Sequence, residues 1–324
     1  MRVDQLRGGV VEAWHDVHVA VVDRTGRLVA HAGDPRLVTF WRSAAKPFQA
    51  APLVEDGVME RFGITDQELA LVCASHSSEP AQVGKIRELL AKIGCAERDL
   101  LCGPHPPLSE RVAQDYQARG VRLTPVYSNC SGKHAGMLAL ARHHGWPTEF
   151  YTRAEHPVQE RCLAEVSRWA EVPEEKIATG VDGCGVVCFA LPLRSMALAY
   201  AKLGSGEGAA PRSPLPRLAA TMLHHPELIA GEGRPCTELM RAHPGRVIAK
   251  VGAEGVYCAL LVGEGLGVAL KVADGHALAS ALALAAVLEA LGLRPLPPTL
   301  GPRPNLNTRG EPVGELRVNG GLEQ

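Results

Sequence analysis

The chain has 324 residues, 46% hydrophobic and 21% charged, with a formal net charge of −1. That is a globular composition; with no basic block it argues against a nucleic-acid partner, and with no charge-free apolar run of bilayer length it argues against a membrane span. Residues 1–14 lack the apolar region of a secretory signal, so a cytoplasmic location is expected, and nine scattered cysteines then read as core residues plus a few functional thiols, not a disulfide framework.

The N-terminal part reads as strands. VHVAVVDRTGRLVAHAGD (17–34) places two apolar runs around Arg24-Thr25-Gly26, a hairpin signal. Apolar residues at helical spacing from Ser43 to about Arg61 (Phe48, Leu53, Met59) predict one helix ending before Gly63. Asp66 is placed as the cap of a second helix through LALVCAS, and 79–94 reads as a third, capped by Ser77 or Ser78, with Pro80 early and Gly94 at its end. GPHPPLSE (103–110) is loop. Further helices are predicted at 132–144, 155–171, 193–203 and 214–225, with RSPLPR (212–217) opening the last and His224 and His225 near its end. Three apolar runs separated by Gly-containing turns, at 246–252, 255–263 and 267–274, predict an antiparallel meander. An Ala/Leu helix follows from about His276 to Leu291, and the tail from Arg294, rich in Pro, Gly and Asn, reads as mostly irregular.

Strands at both ends with helices between them predict an α+β fold: an antiparallel sheet built from both chain ends, flanked by helices, with an inserted helical region. A single domain spans 1–324, with its α/β core at about 8–60 and 180–300 and a mostly helical middle at about 64–175.

Ser43 and Lys46 stand three apart in RSAAKPFQ, a spacing that shares one helix face. A serine needs a base near neutral pH, and a desolvated lysine can be one. Pro47 is tolerated only in a first helical turn, so the helix starts near Ser43 and aims its positive end where an oxyanion would form. Alone the pattern is that of many solvated helix ends. It also opens a helix in penicillin-binding proteins and class A β-lactamases, which carry K-T-G on a late strand. Here Lys250 interrupts the late apolar run RVIAKVG, against the bland alternative of an edge lysine turned to solvent. Between them, ASHSSEP leaves Ser75 over once Ser77 or Ser78 has capped a helix; it suits a second hydroxyl relaying a proton with Lys250.

In SNCSGKHAG (128–136), Cys130 and Lys133 repeat the three-residue spacing with a thiol. This is not a P-loop, since His134 follows the lysine and the first glycine is missing. Cys184, flanked by glycines in GVDGCGVV, is a second turn thiol. Two thiolates and one nitrogen suit a three-ligand zinc site, although lysine must be neutral to coordinate; the alternatives are a nucleophilic Cys130 or two buried structural cysteines. Asp182 suits an α-ammonium group, and Arg42 a carboxylate. Cys73, Cys188 and Cys258 read as core, and Cys236 as a thiol after a glycine-rich loop.

FWRSAAKPFQ, CASHSSEP, YSNCSGKHAGML, GVDGCGVV and AKVGAEGVY, in this order, closely resemble the Rhizobium etli-type L-asparaginase II family, from about residue 8 to the tail. The resemblance implies hydrolysis of L-asparagine to L-aspartate and ammonia, a fold similar to serine β-lactamases and glutaminases, and a homodimer. It implies Ser43 as nucleophile with Lys46 as base, Ser75 and Lys250 as a second Ser-Lys pair, and Cys130, Lys133 and Cys184 as ligands of a zinc ion that tunes substrate binding. Arg42, His134 and Asp182 would line the substrate or support the metal. The rivals are a glutaminase or another acyl-enzyme with the same machinery, and a zinc-dependent sensor whose thiols report metal or redox state.

Overall fold

The computed structural model describes residues 1–204, 213–302 and 304–324; Arg212, at the head of RSPLPR, lies outside them. In chain order come β1 (Arg2–Arg7), β2 (Val10–Val22), β3 (Leu28–Ala32), β4 (Val38–Phe40), a 3-10 turn (Arg42–Ala45), α1 (Lys46–Gln49), α2 (Ala51–Glu55), α3 (Val58–Phe62), α4 (Asp66–Cys73), α5 (Pro80–Lys92), α6 (Glu110–Ala118), α7 (Ser131–His144) and α8 (Pro157–Ala170). The chain continues with β5 (Ala178–Val181), β6 (Val187–Pro192), α9 (Leu193–Leu203), α10 (Leu215–His224), α11 (Pro226–Ile229), α12 (Pro235–Ala242), β7 (Val247–Val251), β8 (Val256–Leu261), β9 (Leu266–Val272), α13 (Ala277–Ala290), β10 (Pro304–Leu306) and β11 (Pro312–Asn319).

The fold is α+β. Its main sheet runs β10-β11-β1-β2-β9-β8-β7, with β3 paired to β2, and every pairing is antiparallel. A small antiparallel sheet, β4-β6-β5, lies apart from it. Successive strand residues face opposite sides. Gly267 of β9 meets α9 at Ala197, whereas Val251 of β7 and Tyr257 of β8 share a cavity with Leu278 and Ala281 of α13. The main sheet therefore has α9 and the helical body on one face and α13 on the other. No helix among the described residues is long and apolar enough to cross a membrane.

Four expectations are corrected. The helix predicted from Ser43 to Arg61 is a 3-10 turn and three short helices, because Pro47 and Pro52 each remove a backbone donor and Gly57 turns left-handed at φ 77°. Thr65, not Asp66, caps α4, in a reciprocal capping box with Glu68. Neither Ser77 nor Ser78 caps α5: Glu79 stands at its N-cap, and the two hydroxyls bond the carbonyls of Ala230 and Tyr127 at 2.8 and 2.6 Å. The tail is not mostly irregular: β11 pairs with β1 from Arg2↔Asn319 to Arg7↔Gly314. The remaining helices and the meander lie where they were expected, to within a few residues. Cys73, Cys188 and Cys258 are core residues, and His224 and His225 stand at the end of α10.

Candidate active site

The Ser43 turn is held from three sides. Trp41 stacks on Phe48 at 4.9 Å and gives its indole N–H to Cys258 of β8 at 3.3 Å, while Tyr200 of α9 donates to the Ala44 carbonyl at 2.8 Å. Arg42, directly before Ser43, adopts a left-handed φ of 54°, costly for a side chain of its size and typical of backbone held at functional sites. Its Nε donates to Asp182 Oδ1 at 2.8 Å. Ser43 itself is half-buried.

The segment after α4 brings Ser75 to the same place. Ser75 N–H donates to Ile229 O at 2.9 Å, and Gln82 Oε1 accepts from Ser77 and Glu79 N–H at 3.0 Å each. Ser75 is 3% exposed and joins two buried lysines. Lys46 Nζ donates to the Ala74 carbonyl at 2.6 Å and to Ser75 Oγ at 3.1 Å. Lys250 Nζ, from the helical face of β7, is 2.8 Å from Ser75 Oγ and donates to Val251 O at 2.9 Å. Ser75 is thus the hub of both lysines, and the partners of Lys46 Nζ are Ala74 and Ser75 rather than Ser43. Burial, reinforced by the charge of Lys46, draws the Lys250 ammonium down to about 7.

The second cluster gathers around the start of α7. Cys130 stands at its N-cap and Lys133 in its first turn. Cys184 is presented by a tight turn closed by Gly185 N–H to Asp182 O and by Asp182 N–H to Val186 O, both at 2.8 Å. Lys133 Nζ lies 3.2 Å from Cys184 Sγ and 3.8 Å from Asp182 Oδ2. A hydrogen bond from Cys130 overcomes burial and, with the Lys133 charge, lowers the Cys184 thiol to about 5; the same bond, with burial, raises Cys130 to about 12. Burial opposes the Lys133 charge, but Cys130, Cys184 and Asp182 outweigh it and hold the amine protonated. Burial likewise opposes the Asp182 carboxylate, and Lys133 and Arg42 hold it below the usual range.

His134 is fully buried, and burial, with Lys133 beside it, keeps it neutral at about 3. Its Nδ1 is 2.7 Å from the hydroxyl of Tyr151, which accepts from Leu101 N–H at 3.0 Å. With Tyr151 donating to Nδ1, the proton of the neutral imidazole sits on Nε2; in the other tautomer the phenolic oxygen accepts both N–H groups; in either case Nε2 is buried without a partner. Tyr151 had no signal in the sequence, since nothing local ties it to His134. Cys102 likewise had no local signal; burial raises its thiol to about 12, with Ser128 opposing and the nearby Cys130 and Cys184 adding to the rise.

Among the described residues, no three His, Cys, Asp or Glu side chains form a metal-ligating group. The trio here has lysine as its third donor. Two soft thiols in mutual contact, an amine 3.2 Å from one of them and a nearby carboxylate suit a thiophilic divalent ion such as zinc. Lys133 would have to give up its proton to coordinate.

Solved structures to which the chain is similar include the following three, each at low identity. A β-lactamase from Mycobacterium bovis shares 17% identity, covering 86% of this chain and 95% of that one, at a TM-score of 0.44. A putative β-lactamase from Bacteroides dorei shares 16%, covering 79% and 84%, at 0.41. A Bacillus subtilis glutaminase, solved as a covalent complex with 5-oxo-L-norleucine, shares 16%, covering 79% of each chain, at 0.32. No curated protein matches the sequence. Residues 3–318, nearly the whole chain, match L-asparaginase II; the chain belongs to the L-asparaginase II family of amidohydrolases.

Proposed function

We propose that the enzyme hydrolyses L-asparagine to L-aspartate and ammonia through an acyl-enzyme on Ser43. The observation carrying this reading is the buried Ser75 hydroxyl between two lysines, 3.1 Å from Lys46 and 2.8 Å from Lys250, beside the strained turn that presents Ser43. With Lys250 drawn down to about 7, the chain Lys46–Ser75–Lys250 can take up a proton at neutral pH. Ser43 attacks the side-chain amide carbon, and its proton enters that chain. Backbone N–H groups of the Arg42–Ala45 turn stabilise the oxyanion. The proton returns to the leaving nitrogen, ammonia departs and an ester to Ser43 remains. Water then attacks the ester, giving its proton to the same chain; the acyl C–Oγ bond breaks, the chain returns the proton to Ser43 Oγ, and L-aspartate and free Ser43 result.

Arg42 and Asp182 orient the carboxylate and ammonium groups of the substrate, and the unpartnered Nε2 of His134 supplies a further polar contact. Cys130, Lys133 and Cys184 would hold a zinc ion. Such an ion, when bound, supplies a fixed positive charge that tunes substrate binding. Asparagine and glutamine differ by one methylene, a difference of about 1–3 kcal/mol in a pocket, so the choice of asparagine rests on the family.

The convergence of both lysines on Ser75 also favours a second reading, with Ser75 as the attacking hydroxyl. Ammonia release from L-asparagine and L-glutamine, with intact mass measured on quenched reactions, separates the two. Ser43→Ala is expected to abolish turnover and any acyl adduct. Ser75→Ala is expected to slow turnover while an adduct persists on Ser43. An adduct retained in Ser43→Ala and lost in Ser75→Ala would make Ser75 the nucleophile, and no ammonia from either amide with the wild-type enzyme would end both readings.

A further inference from the structure

Strand β7 separates two environments. Lys250 faces Ser75, and the next residue, Val251, faces away from it, into a cavity of about 290 Å³ between the sheet, α13 and the head of α12. That volume is near the lower end of the range for small-molecule sites, about 300–1,000 Å³. The walls from Val251, Leu278 and Ala281 are apolar. Of the polar groups lining it, the Cys236 thiol and the Tyr257 hydroxyl satisfy each other at 3.0 Å. Two others are not satisfied in this way. Thr299 Oγ1 is buried with no hydrogen-bond partner. The half-buried Arg234 guanidinium donates to Ser77 Oγ at 3.3 Å, and no carboxylate among the described residues pairs with it.

We propose that this cavity is a binding site, separate from the reaction chamber, for a small organic monocarboxylate with a compact apolar body. A guanidinium fork matches the planar carboxylate, and Thr299 stands in the wall beside it. A phosphate would leave charged oxygens against apolar walls, which is costly. The apolar body lies against Val251, Leu278 and Ala281. The site is not the amide-cleaving chamber, since none of Ser43, Lys46, Ser75 or Lys250 lines it. Arg234 nonetheless reaches Ser77, two residues from Ser75, so an occupant sits one hydrogen bond away from the catalytic segment.

Isothermal titration of the full-length enzyme with 4-methylpentanoate, and with 4-methylpentan-1-ol as its uncharged counterpart, tests the proposal. One carboxylate is expected to bind per chain, with the alcohol weaker by about tenfold or more. Arg234→Gln removes that preference, and Leu278→Trp, which fills the cavity while leaving residue 234 unchanged, removes binding; circular dichroism checks that each variant is folded, and either one decides. Saturating L-aspartate is expected to leave binding unchanged. The proposal is overturned by no uptake, by equal uptake of acid and alcohol, by full binding in Leu278→Trp, or by displacement with L-aspartate, which would assign the anion to the reaction chamber.

Discussion

Lys250 is 1% exposed, and an amine so buried is neutral or paired with an anion. Its contacts are a hydroxyl and a carbonyl, 2.8 and 2.9 Å away, and Lys46 is a second cation nearby. The pull down to about 7 is what lets it accept a proton, and kcat/KM is expected to rise with pH through an apparent pKa near that value. A flat profile between pH 5 and 9 would remove Lys250 from the proton chain. The same shift sets a stability cost of opposite trend to an ion pair. The folded-state pKa lies below the unfolded one, so the unfolded chain binds the proton more tightly. The cost is full below about pH 7, fades as pH rises, and vanishes above the ordinary lysine value of about 10.4. Lys250→Met is therefore expected to be inactive yet to melt higher than wild type at pH 7, with the gap closing towards pH 10; denaturant unfolding at several pH values measures it. The lysine was legible in the sequence as a charge interrupting an apolar strand. The partner of Lys46 was not: spacing along one turn places Ser43 beside it, but Ala74 and Ser75 arrive from a different element, and a long side chain takes the partner that burial offers.

The element that fixes the thiol cluster is α7, and its seat depends on Gly132. A Cβ there would run into the Leu71 carbonyl of α4, and one at Gly136 would press on Val72. A backbone oxygen cannot swing aside, so Gly132→Ala must push α7 away and carry Cys130 and Lys133 with it. The expected cost is at the upper end of about 1–3 kcal/mol, together with a fall in zinc content by atomic absorption. Gly267→Ala is the control: its Cβ would strike Ala197 of α9, so it should destabilise comparably and leave zinc content unchanged. Cys184→Ser should lose zinc with little change in unmetallated stability. Equal metal content in all three variants would sink the ligand assignment. The glycines were visible in SNCSGKHAG, but their reason was not, because the obstacle lies on another helix. The breaks after Ser43 were signalled by Pro47, Pro52 and Gly57, and the α4 cap by Thr65 and Glu68. In the first place apolar periodicity outweighed the prolines; in the second an adjacent acidic residue, Asp66, stood in for the true cap one position earlier.

At the scale of the whole molecule, the two chain ends close one sheet. β11 pairs with β1 over six residues, and β1 with β2, so residues 314–319 lie against residues 2–7. The C-terminal half of this pairing was hidden in the sequence by its composition: Pro, Gly and Asn crowd residues 301–312, and PVGELRVN buries only Leu316, so strand alternation is faint. What makes it a strand is the unpaired edge of β1, a tertiary requirement that no local window contains. Contacts between such distant segments form late in folding, because loop closure must precede them. Ending the chain at residue 302 is therefore expected to leave the helical body and the Lys46–Ser75–Lys250 cluster intact, since none of these groups lies on β1, β10 or β11. It would expose the hydrogen-bonding edge of β1 and uncover Leu6, which is 5% exposed in the full chain. Such an edge templates pairing with other chains. The shortened protein should melt lower and associate with rising concentration in sedimentation, while the soluble monomeric fraction keeps its activity per molecule. An unchanged melting temperature with no association would mean that β11 only decorates the sheet, and a loss of activity in the monomer would mean that this edge supports the site from a distance.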